Sequence, residues 1–184
     1  MDEVKDTVLT LSQIEDIFFI ETCKMLSLDP EAPENQNKVR IAWPTDGSPA
    51  WGIDEDIVFL RITPQDDRIA RHLDVLYTDE SDYALKENGY TRVHRIDWTL
   101  YGPNSYDNAD LIRYNILNSK FWEDFKQYNL FLITDVTMPV RVPELFNGQW
   151  WQRTDFQASY NELVVRREKK DYILGTDIKL IVDK

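Results

Sequence analysis

The segment Tyr90 to Tyr101, YTRVHRIDWTLY, is the feature that most constrains the fold. Its apolar residues Ile96, Trp98 and Leu100 alternate with polar ones, and this period of two places successive side chains on opposite faces of a β-strand. A strand of this kind is not stable alone, because its apolar face needs neighbouring strands and a covering layer. The rest of the chain must therefore supply a sheet and helices that pack on it.

Helical spacing predicts the covering layer. An N-terminal helix starts at Thr10, which matches a capping box with Gln13, and it ends before Pro30. A central helix follows Pro103, and a second helical piece spans 120–127. The other predicted strands are 39–43, 57–62, 130–136, 156–165 and 172–182.

The order of these elements is α-β-β-β-α-β-β-β, which predicts an α+β fold. We expect one domain over residues 1–184, with a mixed or antiparallel β-sheet packed by the N-terminal helix and the central helix. Residues 1–9 are polar and are expected to be flexible. The segment 64–89 is rich in Asp and Glu and is expected to form an acidic, exposed excursion or loop.

Charge restricts the possible partners. The formal net charge is -12, and residues 54–87 hold ten acidic and four basic residues, so half of the net charge lies there. An acidic surface repels phosphate and disfavours ordinary nucleic-acid binding, although a negative channel would let DNA pass without holding it. The sequence shows no signal peptide and no apolar run of membrane-spanning length, so we expect no membrane association.

Motifs for chemistry are sparse. We predict no catalytic, cofactor-binding or metal-binding residues, because one Cys and two separated His residues do not make a zinc site and no phosphate-binding motif is present. One enzymatic alternative remains, in which Glu144, Asp155 and Glu162 beside Trp150-Trp151 form a glycosidase or carbohydrate-binding site. Against it, we expect Glu162 to pair with Arg141 or Arg153.

Tryptophan and arginine in loops favour a role in protein–protein contact, because these residues dominate interface hot spots. Trp98 and Trp122 are predicted to be core residues, and Trp150 and Trp151, being adjacent in an extended segment, should point to opposite faces. The candidate interface residues are Trp43, Asp46, Trp51, Arg141, Trp150, Trp151, Arg153 and Arg166.

Four segments resemble a family of bacteriophage neck or tail-terminator proteins that also occurs in prophages. They are WPTDGSPAW (43–51), DEDIVFLRITP (54–64), YTRVHRIDWTLYGPNSYDNADLIR (90–113) and VRVPELFNGQWWQRTDFQASYNELV (140–164). The strings YGPNSYDNADLIR and PELFNGQWW are long and chemically unusual, so the resemblance is specific.

The resemblance implies a non-enzymatic virion protein that is made in the host cytoplasm and resides in the tail or neck. It implies a homo-oligomeric ring, of six subunits, that caps the tail tube protein and joins it to a head-tail connector protein. DNA would pass through this ring without sequence-specific binding. The alternative within the same class is another head-tail connector part, such as a stopper or head-completion protein.

Overall fold

The computed structural model describes residues 5–35, 37–42, 50–68 and 70–172. Within these ranges lie three helices and nine strands. The helices are α1 (Leu11–Met25), α2 (Ser105–Ile116) and α3 (Ser119–Lys126). The strands are β1 (Val39–Ile41), β2 (Ile57–Gln65), β3 (Leu73–Asp79), β4 (Ala84–Tyr101), β5 (Leu130–Ile133), β6 (Val140–Arg141), β7 (Glu144–Phe146), β8 (Gln149–Trp151) and β9 (Arg153–Lys170). The α+β class is confirmed, and the order differs from the prediction by β3 and the short strands β6 to β8.

Two long strands form the spine of the sheet. β4 and β9 have 18 residues each and pair antiparallel along their whole length, from Ala84–Lys170 to Tyr101–Arg153. At about 3.4 Å per residue this pair is roughly 60 Å long. Because β9 occupies one side of β4, β2 and β3 both lie on the other side, one after the other. β1 joins β2 in parallel, so the sheet is mixed, as predicted.

The free side of β9 carries shorter partners. β6 and β5 pair with it in the half near Arg153, and Thr7 forms a bridge with Val165 farther along. Two backbone hydrogen bonds of 2.8 Å and 3.0 Å connect Thr7 and Val165. Residues 5–9, in the segment expected to be flexible, therefore run along the edge of β9, and residues 1–4 lie outside the described ranges.

The helices of the described chain pack on one face of the sheet. Phe18 of α1 meets the rings of Trp98 and Tyr160, at centroid distances of 6.4 Å and 4.8 Å. Trp98 is buried, as predicted, and stacks on Phe156 at 4.8 Å. In the described residues, no helix covers the opposite face, where Asp97 lies between the buried neighbours Ile96 and Trp98.

α1 forms where the sequence places it. Thr10 is the N-cap, and its side chain and that of Gln13 make the reciprocal bonds of a capping box. The prediction that Trp122 is a core residue is wrong, because this side chain is 43% exposed. Phe121 and Phe125, four residues apart on α3, face the core, and Trp122 lies off that stripe on the helix surface.

The turn from β4 into α2 depends on Gly102. Its φ is +108°, and a Cβ atom there would lie 2.5 Å from Asp56 Oδ1 and 2.6 Å from the Glu55 carbonyl oxygen. The Asp56 carboxylate in turn accepts from the backbone N–H of Asn104, at 2.9 Å. Only glycine fits this approach of the turn to the segment before β2.

The acidic segment 64–89 consists mainly of strand rather than loop. It contains the end of β2, all of β3 and the first residues of β4, and β3 pairs with β4 from Leu73–Tyr90 to Asp79–Ala84. Every residue of β3 is exposed. A strand that buries neither face needs no apolar alternation, and this explains why the sequence pattern did not reveal it. The strand predicted at 172–182 lies, beyond Tyr172, outside the described residues.

Candidate assembly surfaces

Residues 138–152 form a projecting unit that we call the apolar hairpin. β7 and β8 pair antiparallel across Asn147 and Gly148, which have φ angles of +51° and +77°. Asn-Gly with positive φ at both positions is the preferred type I′ turn of two-residue hairpins. β6 fastens the start of the unit to β9, and the backbone N–H of Val142 donates to the Arg153 carbonyl oxygen at 2.8 Å.

The apolar hairpin exposes six large apolar side chains. Leu145 and Trp150 are cross-strand partners on its outer face, and Trp150 is 66% exposed. The exposed apolar side chains of this unit are Met138, Val140, Val142, Leu145, Phe146 and Trp150. A lone two-stranded hairpin is marginal in water, and contiguous exposed apolar patches mark interaction sites. The hairpin is therefore a candidate surface for contact with another protein.

Trp151 points away from Trp150, as predicted, and joins a cluster of rings within the chain. Trp51 lies 6.1 Å from Trp151, 5.7 Å from Tyr101 and 5.1 Å from Phe59, measured between ring centroids. Trp51 and Trp151 are both partly buried. Trp51 and Trp151, both predicted interface residues, thus hold the apolar hairpin to the open face of the sheet. Of the three tryptophans Trp51, Trp150 and Trp151, Trp150 is the exposed one.

Arg153 is engaged inside the chain. Its guanidinium donates to Asp155 Oδ2 at 2.8 Å and to Glu144 Oε2 at 3.3 Å, and the bonds to Asp155 raise the pKa of Arg153. The Tyr101 hydroxyl donates to the same Glu144 oxygen at 2.7 Å, and burial together with this bond raises the pKa of Tyr101 to about 12. This network orients the base of the apolar hairpin on β9.

Arg166, like Arg153, has an acidic partner within the chain, whereas Arg141 has none among the described residues. Arg166 donates to Asp6 Oδ2 at 3.1 Å and to the Tyr90 hydroxyl at 3.2 Å, so it holds the N-terminal segment against β9. Arg141 is exposed in β6, and no acidic group of the described residues lies within ion-pair distance of it. Of the three predicted arginines in the described chain, Arg141 is the one left for an external partner.

A second exposed surface lies at the opposite end of the sheet. β3, residues 84–91 of β4 and residues 163–170 of β9 form a three-stranded extension that we call the ribbon. Its edge strand β3 exposes four large apolar side chains: Leu73, Val75, Leu76 and Tyr77. Residues 73–83 also contain four acidic residues and no basic one. The ribbon thus combines apolar and acidic character along one edge.

Comparison with protein families identifies the family of this chain. A family model described as phage neck terminator protein matches residues 12–183, almost the whole chain. The chain belongs to the phage neck terminator family. The family resemblance found in the sequence is confirmed, and a structural role in the neck or tail of a virion follows from it. A search of curated proteins found no match to this chain.

Membership in the neck terminator family favours a non-enzymatic protein, and the positions of the acidic residues agree with that. Glu162 is buried on the helix-covered face, whereas Glu144 and Asp155 bind Arg153 on the other face, so these three carboxylates do not form one site. Within the described residues, no group of three His, Cys, Asp or Glu residues could hold a metal ion. None of the helices described is long and apolar enough to cross a membrane.

The expected pairing of Glu162 with Arg141 or Arg153 is wrong. Glu162 instead accepts from Arg92 Nη2 at 2.7 Å, from His94 Nε2 at 2.8 Å and from the backbone N–H of Leu9 at 3.0 Å. Burial alone would raise the pKa of Glu162, but the hydrogen bonds from His94, Arg92 and Leu9 outweigh it and lower that pKa to about 2. Arg92 is the direct cross-strand partner of Glu162, and His94 lies two residues farther along β4. The sequence did not reveal these contacts, because strand register is not visible in it.

Two predicted interface residues, Trp43 and Asp46, lie outside the described residues. Conversely, Leu145, Phe146 and the apolar residues of β3 were not among the predicted interface residues, although the loop from Met138 to Trp151 and the acidic stretch 64–89 were both expected to supply contact patches. The Asn147-Gly148 dipeptide between short apolar runs was the available signal for the first two, since it predicts a tight hairpin with outward cross-strand pairs. No comparable signal marks β3.

Proposed function

We propose that this chain is the terminator subunit of a phage neck, and that six copies form a ring that caps the tail tube protein. The ring would end tube growth, join the tube to a head-tail connector protein and leave a channel for DNA. The match to the neck terminator family over residues 12–183 carries this proposal. The candidate residues Trp150 and Arg141 belong to the contact surfaces, and Trp51, Trp151, Arg153 and Arg166 position them.

The shape of the described chain supports a ring. A ring that closes by rotation needs two different surfaces on each subunit, because each copy meets its neighbours on opposite sides. The apolar hairpin lies near the Tyr101–Arg153 end of the spine, and the ribbon forms the other end. One chain therefore carries two distinct contact surfaces about 40–50 Å apart along the sheet, by the rise of an extended strand.

The net charge of -12 supports passage of DNA without sequence-specific binding. Acidic side chains that face a channel repel phosphates, so DNA would slide through instead of being held there. Such a subunit needs no cofactor and no catalytic residue. We place its synthesis in the host cytoplasm and its final position in the virion.

Electron microscopy of the purified protein, with and without purified tail tubes, tests the proposal. We expect rings in solution or a ring at one end of each tube, and tubes of uniform length when they assemble in its presence. Binding to the head-side connector without binding to tubes would instead assign the chain to a stopper or head-completion role. A tube population whose ends and lengths do not change would overturn the terminator function.

A further inference from the structure

Two surfaces of this chain complement each other in chemistry. The apolar hairpin has Leu145, Phe146 and Trp150 exposed, and its one cation, Arg141, has no acidic partner within ion-pair distance among the described residues. In the β3 segment, residues 73–83, the exposed side chains of Leu73, Val75 and Tyr77 share one face of the strand, and the row ends at the carboxylate of Asp79. An apolar surface with a positive charge thus matches an apolar surface with negative charges.

The ribbon also has an unsatisfied edge. β3 pairs with β4 on one side only, so in the described chain its outer edge presents backbone N–H and C=O groups without a strand partner. Natural edge strands are usually protected by charged side chains, especially lysine, by proline or by short length. β3 has seven residues without lysine or proline, and its two charged residues, Asp74 and Asp79, are both acidic. An edge with this composition is suited to contact with another chain.

The two surfaces cannot meet within one chain. The apolar hairpin adjoins Tyr101 and Arg153, whereas β3 pairs with the Ala84–Tyr90 end of β4. The paired β4 and β9 strands form a continuous ladder between these ends, so the sheet holds them apart. A contact between them therefore needs two copies, and repetition of that contact gives a head-to-tail arrangement.

We propose that the apolar hairpin of one copy docks on the β3 segment of the next copy, with Leu145 and Trp150 against the apolar side chains of β3. Arg141 lies beside the acidic residues of the same segment and sets the register of the contact. This inference rests on the proposed ring and deepens it, because it names the two surfaces that join neighbouring subunits. The occupant of the β3 segment is a second copy of this chain.

Photo-crosslinking tests this contact at the level of single residues. Trp150→benzoylphenylalanine protein is incorporated into phage tails, irradiated and digested, with copies of two isotopic compositions mixed so that links between copies are recognised. We expect the crosslinked peptide to contain residues 73–83 of another copy. The control is Tyr114→benzoylphenylalanine, at an exposed aromatic residue of α2 outside both surfaces, and it should not give that peptide.

Variants of each surface sharpen the result. Val75→Ser with Tyr77→Ser should lower the yield of the crosslink from position 150 about tenfold, as loss of hot-spot residues does. Arg141→Glu should lower it as well, and both variants should keep the circular dichroism and thermal stability of the parent because the changed residues are exposed. Tyr114→Ser is the matched control and should leave the yield unchanged.

The outcomes separate the contact from the function. A crosslink from position 150 to the hairpin of another copy, to a different virion protein or to nothing in assembled tails would overturn the contact and leave the terminator role standing. Purified protein is irradiated in parallel. A crosslink from position 150 to residues 73–83 there, with no protein found in tails, would support the contact and overturn the terminator role.

Discussion

The two halves of the β4–β9 pair share the same ladder but differ in what surrounds them. In the half formed by 92–101 and 153–162, alternate residues such as Trp98 and Tyr160 are buried under the helices. In the half formed by 84–91 and 163–170, Val164 is the one residue that is buried, and the strands project as the ribbon. Backbone pairing is therefore enough to extend the sheet beyond the helices. The packing of the helices determines which part of the sheet buries side chains and so contributes to the stability of the monomer.

This difference assigns different tasks to the two halves. The helix-covered half forms the core of the subunit, because burial of apolar area is the main favourable term in folding. The ribbon keeps its apolar side chains in water, and in our proposal a neighbouring copy covers them. Substitutions in the first half should change folding, and those in the second should change assembly.

The largest effect is expected from Trp98→Ala. This side chain is fully buried and touches the rings of Phe18 and Phe156, so its loss leaves a large cavity. We expect the free energy of unfolding to fall by about 3–5 kcal/mol, measured by urea denaturation. The matched change in the ribbon, Leu76→Ala, should alter it by about 0.5 kcal/mol or less. Equal losses for both variants would contradict the division into two halves.

The stability of the folded chain should depend on pH through Glu162, which lies at the boundary between the two halves. The pKa of Glu162 is lowered from 4.5 to about 2 in the folded chain. The contribution of its ionised carboxylate to the free energy of unfolding is therefore complete at a pH above the unfolded-state pKa, and it is lost as the pH falls from about 5 to about 2. That shift corresponds to about 3 kcal/mol of stability at neutral pH. Glu162→Gln should lose a similar amount at pH 7 and flatten the acid limb of a stability–pH curve.

Glu123→Gln is the control for this measurement, because Glu123 is exposed on α3. It should keep both the stability at pH 7 and the shape of the acid limb. An unchanged acid limb in the Glu162→Gln protein would show that other carboxylates dominate acid unfolding.

The smallest effect is expected in the ribbon from Arg167→Ala. Arg167 donates to Glu87 Oε1 at 2.5 Å, to the Lys5 carbonyl oxygen at 2.9 Å and to Thr7 Oγ1 at 3.1 Å, so it ties the N-terminal segment to β9. We expect faster hydrogen exchange at the amides of Thr7 and Val165, with global stability changed by less than about 1 kcal/mol.

Arg61→Ala supplies the comparison in the other half, since Arg61 pairs with Asp97 on the open face of the sheet. It should leave exchange at Thr7 unchanged. If Arg167→Ala instead lowers global stability as much as Trp98→Ala does, the ribbon is part of the folding unit and the proposed division is wrong.

Local patterns determined several features of this protein from the sequence alone. The alternation around Trp98 defined the central strand and its buried face, and the Thr10–Gln13 pair defined the start of α1. The unusual strings in 90–113 and 140–164 were sufficient for the family, which the match over 12–183 confirms. These features are readable because each depends on residues that are close together in the chain.

The tertiary structure alone decided which side chains were available for contact. Arg153 and Arg166 have partners within the chain, Arg141 is left exposed, and β3 became a strand because β4 extends beyond the helices to pair with it. Such outcomes depend on strand register and on how far the helix layer reaches. Both are set by contacts between residues far apart in sequence, which a local pattern does not encode.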